Sequence, residues 1–552
     1  MDSLINTTVE PGENFASNYT LSNMAMCSFI LMVVAWVAAS LARKPGKGVL
    51  MTANRSFYFE PSLFARLRWC FGARGILEAA DQKVCSKMKI KSEYSSYLHL
   101  FPSVLRLTWA VKAGGRPYLL ARGDKDLVVL PASLIPEMNR MSADVLNSRQ
   151  SHAFTLLGGL TGMTVVEKTS YHVRMLLGRI SPALPELFPG TATRISSAIS
   201  REFTSCDDWT VFKPLPATVR CFSEGIALAL FGAKMSENSR LVELTHELTT
   251  NVFQVAFIMR CVPSVLQPLC VWLLPAKWRM ESNWRELGDF VKPAVRSQAD
   301  LYAKNSPQEI EPNLISWMVK DGRTALERDP DVLTTLCGSV AAGSTYSIAN
   351  FVCRALVDLV AHPGVLNAVR AEIRSKGESI GGVWDLAAVS DLEKLDSAMK
   401  ETARLAPGTI IVYSRVVQQE CILAGIKLEK GQFITTSGPS RALDPAIFEN
   451  PKEYQGLRFC AEDNIERHRA RPFRSVDTDI LTWGAGRWAC PGRLVADMAA
   501  KILLVKLLDE WDFAFVNGKP LSPNAVHEFM FFHPDNRMLA RRRADRVGVK
   551  FS

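Results

Sequence analysis

Cys490 is the residue most plainly set up for chemistry, because WGAGRWACPGRL, starting at Trp483, places it between a glycine-rich turn and the start of a helical pattern. Gly484 and Gly486 permit a tight backbone and the close approach of a flat or bulky group, and Pro491 brings a fixed φ without a donor, suited to a first helical turn. Leu494, Met498, Ile502 and Val505 then recur at helical spacing. A thiol at such a helix start meets free N–H groups and the positive end of the dipole, which favour the thiolate. A thiolate there can be a nucleophile, a redox thiol or a metal ligand. No second cysteine stands close by, so disulfide exchange is poorly supported and the multi-cysteine zinc and iron–sulfur spacings fail. A single axial bond to haem iron needs only one cysteine and a glycine-opened wall for the porphyrin.

Three further stretches hold residues of the right type. KETARL contains Glu401 and Arg404, three apart and so on one face of a helix. GLRF, Gly456 to Phe459, offers Arg458, and AAGST, Ala341 to Thr345, ends in two hydroxyls on a long apolar helical pattern. With the cysteine loop, these resemble the cytochrome P450 monooxygenases in family order. Trp483 to Gly492 is similar to the haem-binding loop F-x-x-G-x-R/H-x-C-x-G, with Trp483 at the Phe position, Gly486 and Gly492 matching, and Cys490 at the axial thiolate. Trp488 stands where the family has Arg or His to meet a haem propionate, and an indole offers only one N–H. Arg487 is adjacent but does not occupy that position, so another cation is called for. Glu401 and Arg404 resemble the E-x-x-R pair, with Arg458 as the third member of a buried ion network. Thr345 resembles the threonine that guides protons in oxygen activation, and Ser344 replaces the usual acid before it. The ordinary readings are a helical hydroxyl bonded to its own backbone for Thr345 and a packing residue for Ser344.

The resemblance implies a mainly α fold with minor β, haem b with cysteine thiolate as axial iron ligand, and insertion of one oxygen atom from O2 into a lipophilic substrate. It implies electrons from a membrane-bound NADPH-cytochrome P450 reductase, with cytochrome b5 and membrane lipid as further partners and no nucleic acid. Arg493, Ala496 and Lys501, following the cysteine, resemble the filamentous-fungal branch that serves terpenoid, indole-diterpene and related secondary-metabolite pathways. A sterol or fatty-acid hydroxylase is the alternative within the class. A haem-thiolate isomerase or dehydratase that uses no O2 is the alternative outside it.

The elements that must position these residues are mostly helical. VRCFSEGIALALFGAK, SRLVELTHELTTNVFQVAFIMRCV and the run from Asp331 to a His362-Pro363 stop read as helices. The last is apolar almost all round, so it must run buried through the middle of one domain. PYLLAR from Pro117 and DLVVLPAS from Asp126 predict a small hairpin, and Thr409 to Phe459 reads as short strands and turns. At 552 residues, 48% of them hydrophobic, the chain can bury a substantial core. Its net charge of +10 suits an acidic reductase or anionic lipid. The twelve cysteines are scattered without a CxxC pair and read as buried thiols in a reducing compartment, with zinc fingers disfavoured. Isolated histidines such as His172 and His527 read as structural.

At the amino end, residues 24–42 form an uncharged run followed by Arg43, Lys44 and Lys47. A run of this length approaches the roughly 30 Å thickness of bilayer hydrocarbon. The basic flank predicts a lumenal segment 1–23, an anchor 24–42 and a linker 43–55. Residues 56–552 then form a catalytic domain facing the cytoplasm from the endoplasmic-reticulum membrane. Asn6 and Asn18 fall in lumenal glycosylation sequons.

Overall fold

The computed structural model describes residues 52–55, 62–93, 116–203, 207–304, 311–460 and 471–552. Its principal helices are α1 (Ser62–Glu93), α2 (Ile135–Arg140), α3 (Leu184–Glu202), α4 (Pro214–Phe231), α5 (Ser239–Met259), α6 (Pro275–Ala303), α7 (Pro330–Ala361), α8 (Pro363–Ser379), α9 (Glu393–Leu405) and α10 (Arg493–Glu510). Strands β1 (Tyr118–Ala121), β2 (Asp126–Leu130), β3 (Leu146–Asn147), β4 (Thr210–Phe212), β5 (Ile411–Val417), β6 (Phe433–Ser437), β7 (Trp511–Phe515), β8 (Asn524–Val526), β9 (Phe529–Phe531) and β10 (Met538–Arg542) make the minor component. The mainly α reading holds.

Local signals explain why the central helix lies where it does. The Asp329 carboxylate accepts from the Asp331 N–H at 2.9 Å, Pro330 opens the first turn, and His362-Pro363 ends the run. Leu333, Leu336, Ala341, Ala349, Val352 and Leu356 are all buried, on more than one face of α7. Neighbours approach closely: a Cβ on Gly338 would fall 2.4 Å from the Trp284 ring of α6, so only glycine fits that crossing. α10 is equally enclosed, with Ile502, Leu503, Leu504 and Val505 fully buried.

The membrane expectation needs correction. Among the described residues, the one helix long and apolar enough to cross a bilayer is α7, in mid-chain and not at the amino end. Its composition has a physical reason, since 61% of its most apolar window is buried inside the protein. The amino-terminal anchor at 24–42 and the sequons at Asn6 and Asn18 lie outside the described residues.

The sheet order is β1-β2-β6-β5-β3. The hairpin predicted from Pro117 forms as β1 and β2, antiparallel with Ala121 opposite Asp126. β2 runs parallel to β6, and β6 antiparallel to β5 with Val412 opposite Thr436 and Arg415 opposite Ile434. The register shifts between Val412 and Arg415, a bulge that re-aims the side chains of this stretch. A second sheet, β7-β10-β4, and the hairpin β8-β9 close the carboxyl end. The Asn350 side chain of α7 donates to Met530 O at 2.9 Å and accepts from the Phe532 N–H at 2.8 Å, which fixes the β8-β9 hairpin to the central helix.

Candidate functional site

The loop around Cys490 is shaped by its own backbone. Gly484 and Gly486 have φ of +74° and +57°, in the region that side chains disfavour. A Cβ on Gly486 would also lie 2.6 Å from the Asn139 amide of α2. The Cys490 N–H donates to Trp483 O at 2.7 Å, closing the loop, and the Trp483 indole donates to Phe473 O at 2.6 Å. The thiol thus sits two residues ahead of Gly492, which caps α10. Pro491 lies in the turn before the helix and not in its first turn. Burial raises the Cys490 thiol above its ordinary value, opposed by the Gly492 and Arg493 amides and the Arg493 charge. The helix start therefore moderates the cost of a thiolate without overcoming burial by itself.

Behind the loop, Glu401 and Arg404 on α9 form a bidentate pair, with both N–O distances 2.7 Å. Arg458 joins the same carboxylate with its Nε at 3.1 and 3.2 Å from the two oxygens. All three residues are buried. Arg404 also donates to the carbonyls of Ala442 and Pro451 at 2.6 Å, and the Gln455 N–H donates to Glu401 at 3.0 Å. Thr482 reaches from the cysteine loop to Ala403 O at 3.2 Å, which ties that loop to α9. The sequence-predicted trio is brought together around the one Glu401 carboxylate.

On α7 the two hydroxyls differ. Ser344 donates to Ala341 O at 3.1 Å, so it is used by its own helix. The Thr345 Oγ1 is buried and has no partner in the described chain. Gly343 continues the helix without a break, and a Cβ there would meet nothing within 4 Å.

Sequence reasoning did not find the cation beside Trp488. Arg415 is buried on β5, with its guanidinium carbon 3.9 Å from the centre of the Tyr413 ring and 5.2 Å from that of Trp488. Its Nη1 donates to Ser414 O at 2.7 Å, while Nε and Nη2 have no hydrogen-bond partner among the described residues. Burial lowers its affinity for the proton, Tyr413 opposes that and Arg487 adds to it. Tyr413, at φ +58° in the bulge, donates its hydroxyl to Asn139. Arg487 is exposed and donates to Met141 O, with its guanidinium carbon 5.0 Å from the centre of the Trp488 ring. The signal in the sequence was the gap itself, an indole where a cation belonged.

These residues suit a large anionic cofactor. A buried guanidinium with two unused donors fits a carboxylate, and the glycine turn and single thiol fit a flat ring with an axial ligand.

Comparison with known proteins agrees with this geometry. Residues 183–539 match the family profile described as Cytochrome P450. Cytochrome P450 monooxygenase AN1598 of Emericella nidulans is 27% identical over 77% of this chain and 80% of its own length. The terK monooxygenase of Tolypocladium album is 25% identical over 88% of each chain, and paxP of Penicillium paxilli 26% identical over 72% of this chain and 77% of its own. The crystal structure of the cytochrome P450DA heme domain shares the fold, with a TM-score of 0.61, 16% identity, and coverage of 81% of this chain and 96% of that one. The chain belongs to the cytochrome P450 family, as a haem b oxidoreductase of the haem-thiolate monooxygenase class.

Proposed function

We propose that Cys490 is the axial ligand of haem b and that the enzyme oxygenates a lipophilic terpenoid-type fungal secondary metabolite, with electrons from an NADPH-dependent reductase. The observation that carries the site assignment is the pairing of a glycine-turn thiol with the unused guanidinium donors of Arg415 beside Trp488. When bound, haem b supplies the iron at which O2 is activated for transfer to the substrate. Cys490 holds that iron, and the Gly492 and Arg493 amides draw charge from its sulfur. Arg415, buried beside Trp488, would hold a propionate by charge-assisted hydrogen bonds, with the Trp488 ring supporting the guanidinium. Trp483, Gly484, Gly486, Arg487 and Gly492 shape the loop. The free Thr345 Oγ1 holds and passes a proton, a task that Ser344 Oγ, committed to Ala341 O, serves less well.

The substrate class rests on similarity to the fungal monooxygenases and on the Arg493, Ala496 and Lys501 pattern. Work at the endoplasmic-reticulum membrane, with the catalytic domain cytoplasmic, follows the family reading, and contact with lipid is supported by an exposed apolar cluster between α5 and α6. Val265, Leu269 and Leu273 are 83%, 73% and 81% exposed, beside Trp272 and Trp278. The net charge of +10 suits an acidic reductase, with cytochrome b5 as a second donor.

The test has two arms. Reduced protein under carbon monoxide is expected to show the red-shifted thiolate band and Cys490→Ala to lose it; an unchanged band in the variant rejects the ligand assignment. Microsomes with reductase and NADPH are expected to oxidise cyclised terpenoids in preference to sterols or fatty acids. The reverse preference rejects the substrate class alone.

A further inference from the structure

Three segments far apart in sequence meet at a second sulfur-rich site. Cys70 lies on α1, Cys261 follows the end of α5, and His527 lies in the β8-β9 turn with φ +52°. Cys261 Sγ is 3.8 Å from Cys70 Sγ and 3.7 Å from His527 Nε2, and the three ligand atoms all lie within 4.8 Å of one another. A tetrahedral ion with metal–sulfur bonds of about 2.3 Å and metal–nitrogen bonds of about 2.0 Å separates two sulfurs by about 3.8 Å and sulfur from nitrogen by about 3.5 Å. Two edges of such a tetrahedron are therefore already set.

We propose that Cys70, Cys261 and His527 form a site for a zinc-class cation, held by two thiolates and one imidazole, with the fourth position open to solvent. The ligand pair and the histidine are distinct in place and elements from the Cys490 loop. Uptake of M²⁺ requires both sulfurs as thiolates, so any proton the pair still holds is released, and M²⁺ with two thiolates and a neutral imidazole leaves the site neutral. His527 and Cys70 are buried, whereas Cys261 is exposed and provides the entry side.

The frame is fixed before any ion arrives. The His527 N–H donates to Cys70 O at 2.9 Å, and the Cys261 N–H donates to Ile258 O at 3.1 Å. On either side, Arg260 donates to the Glu528 carboxylate at 2.7 and 2.8 Å, and Arg122 donates to the same group at 3.1 Å. Both residues next to the ligands are thus pinned. His527 Nε2 lies 3.2 Å from Phe257 O, and coordination would replace that contact with the ring proton carried on Nδ1. Since the hairpin is also bonded to α7 through Asn350, the ion would join α1 and the end of α5 to the central helix. No local spacing advertises the site, because its ligands are 191 and 266 residues apart.

The experiment uses the full-length haem-loaded protein, reduced, stripped with chelator and then exposed to Zn²⁺ with removal of the excess. Elemental analysis is expected to give one zinc per haem in the native chain and only background in Cys261→Ser, with the carbon monoxide band unchanged in both. Cys421→Ser, a half-buried thiol elsewhere, is the control and is expected to keep the zinc. X-ray absorption at the zinc edge is expected to show two sulfur neighbours. Because Cys261 is exposed, its serine variant is expected to fold; His527→Gln provides a second loss of zinc if it does not. Equal zinc in the native chain and Cys261→Ser overturns the proposal, as does a Cys70–Cys261 disulfide that forms in place of zinc uptake under the reducing conditions.

Discussion

The ion network behind the cysteine loop and the polar groups beside it are built from the same residue types and finished differently. Glu401, Arg404 and Arg458 are buried, and the Glu401 carboxylate is bonded by both arginines and by the Gln455 amide. Arg415 and Thr345 are buried too, yet Arg415 Nε and Nη2 and Thr345 Oγ1 have no partner in the described chain. Burial without a partner costs stability, so a fold keeps such groups where something else completes them. In the first region one carboxylate joins both guanidinium groups, and that makes it a structural joint. In the second, Arg415 and Thr345 keep donors unused among the described residues, which is what the proposed haem-binding and proton-passing roles require. Substitutions in the two regions should therefore move different observables, and in part opposite ones.

The largest effect is expected at Glu401. Removing one partner of a buried ion set leaves other charges uncompensated, and the typical cost is ~3–5 kcal/mol. Here two guanidinium groups would lose their shared carboxylate, and α9 would lose its hold on the stretch around Gln455 and Arg458. Glu401→Ala should lower the melting temperature sharply and yield little haem-loaded protein. Normal haem content and melting temperature in this variant would show that the joint is not structural, and the contrast between the regions would fail.

Arg415 should behave in the reverse way. Arg415→Met removes a buried charge with two unused donors, so the haem-depleted chain should melt no lower than the native one. The haem-loaded protein should instead lose its cofactor faster, by roughly 10- to 100-fold, the equivalent of one charge-assisted hydrogen bond of about 1.5–3 kcal/mol. Transfer of haem to apomyoglobin measures that rate. A variant that melts lower without haem yet releases haem at the native rate would make Arg415 a structural residue like Arg404.

The two regions were unequally legible in the sequence, and for a physical reason. Glu401 and Arg404 share one helical turn, so their spacing alone put them on one face, and only Arg458 had to come from elsewhere. The central helix was read as Asp331 to His362 and found at Pro330–Ala361, because its cap and its proline stop are local signals. Arg415 had no such signal. Its direction comes from a bulge and from pairing with β6, and it reaches Trp488 only after the sheet and the cysteine loop have packed together. The Cys70, Cys261 and His527 cluster was hidden in the same way, and scattered thiols read simply as core although Cys261 is exposed. At the amino end, hydropathy pointed to 24–42, whereas the membrane-length helix among the described residues is the buried α7. Apolar composition cannot by itself distinguish lipid from protein as the surrounding medium.

Thr345 sharpens the comparison at smaller scale. Because its Oγ1 bonds nothing among the described residues, Thr345→Val breaks no hydrogen bond seen there and should change stability by less than ~1 kcal/mol. Haem content and the thiolate band should be retained. What should change is coupling: a severalfold larger share of the NADPH consumed should emerge as hydrogen peroxide in place of product, because the variant lacks the hydroxyl proposed to pass the proton. Unchanged coupling would remove Thr345 from the catalytic residues and leave its unused oxygen without a role.

Ser344 is the smallest and most discriminating case, since it is adjacent to Thr345 and carries the same functional group. By sequence it was expected to relay protons more weakly in place of the family's acid. Its hydroxyl, however, donates to Ala341 O at 3.1 Å, a bond within the helix that competes with any outward role. Ser344→Ala exchanges that bond for the higher helix propensity of alanine, and these effects nearly cancel, so stability should shift by no more than ~0.5 kcal/mol. If the partnering of a hydroxyl decides its use, the ratio of product to peroxide per NADPH should stay at the native value in Ser344→Ala while it falls in Thr345→Val. Equal uncoupling in both would mean that Ser344 leaves Ala341 O during turnover and that a hydroxyl bonded in the resting chain can still serve the proton path. In that case the distinction between finished and waiting polar groups would hold for the charged residues and not for the hydroxyls of α7.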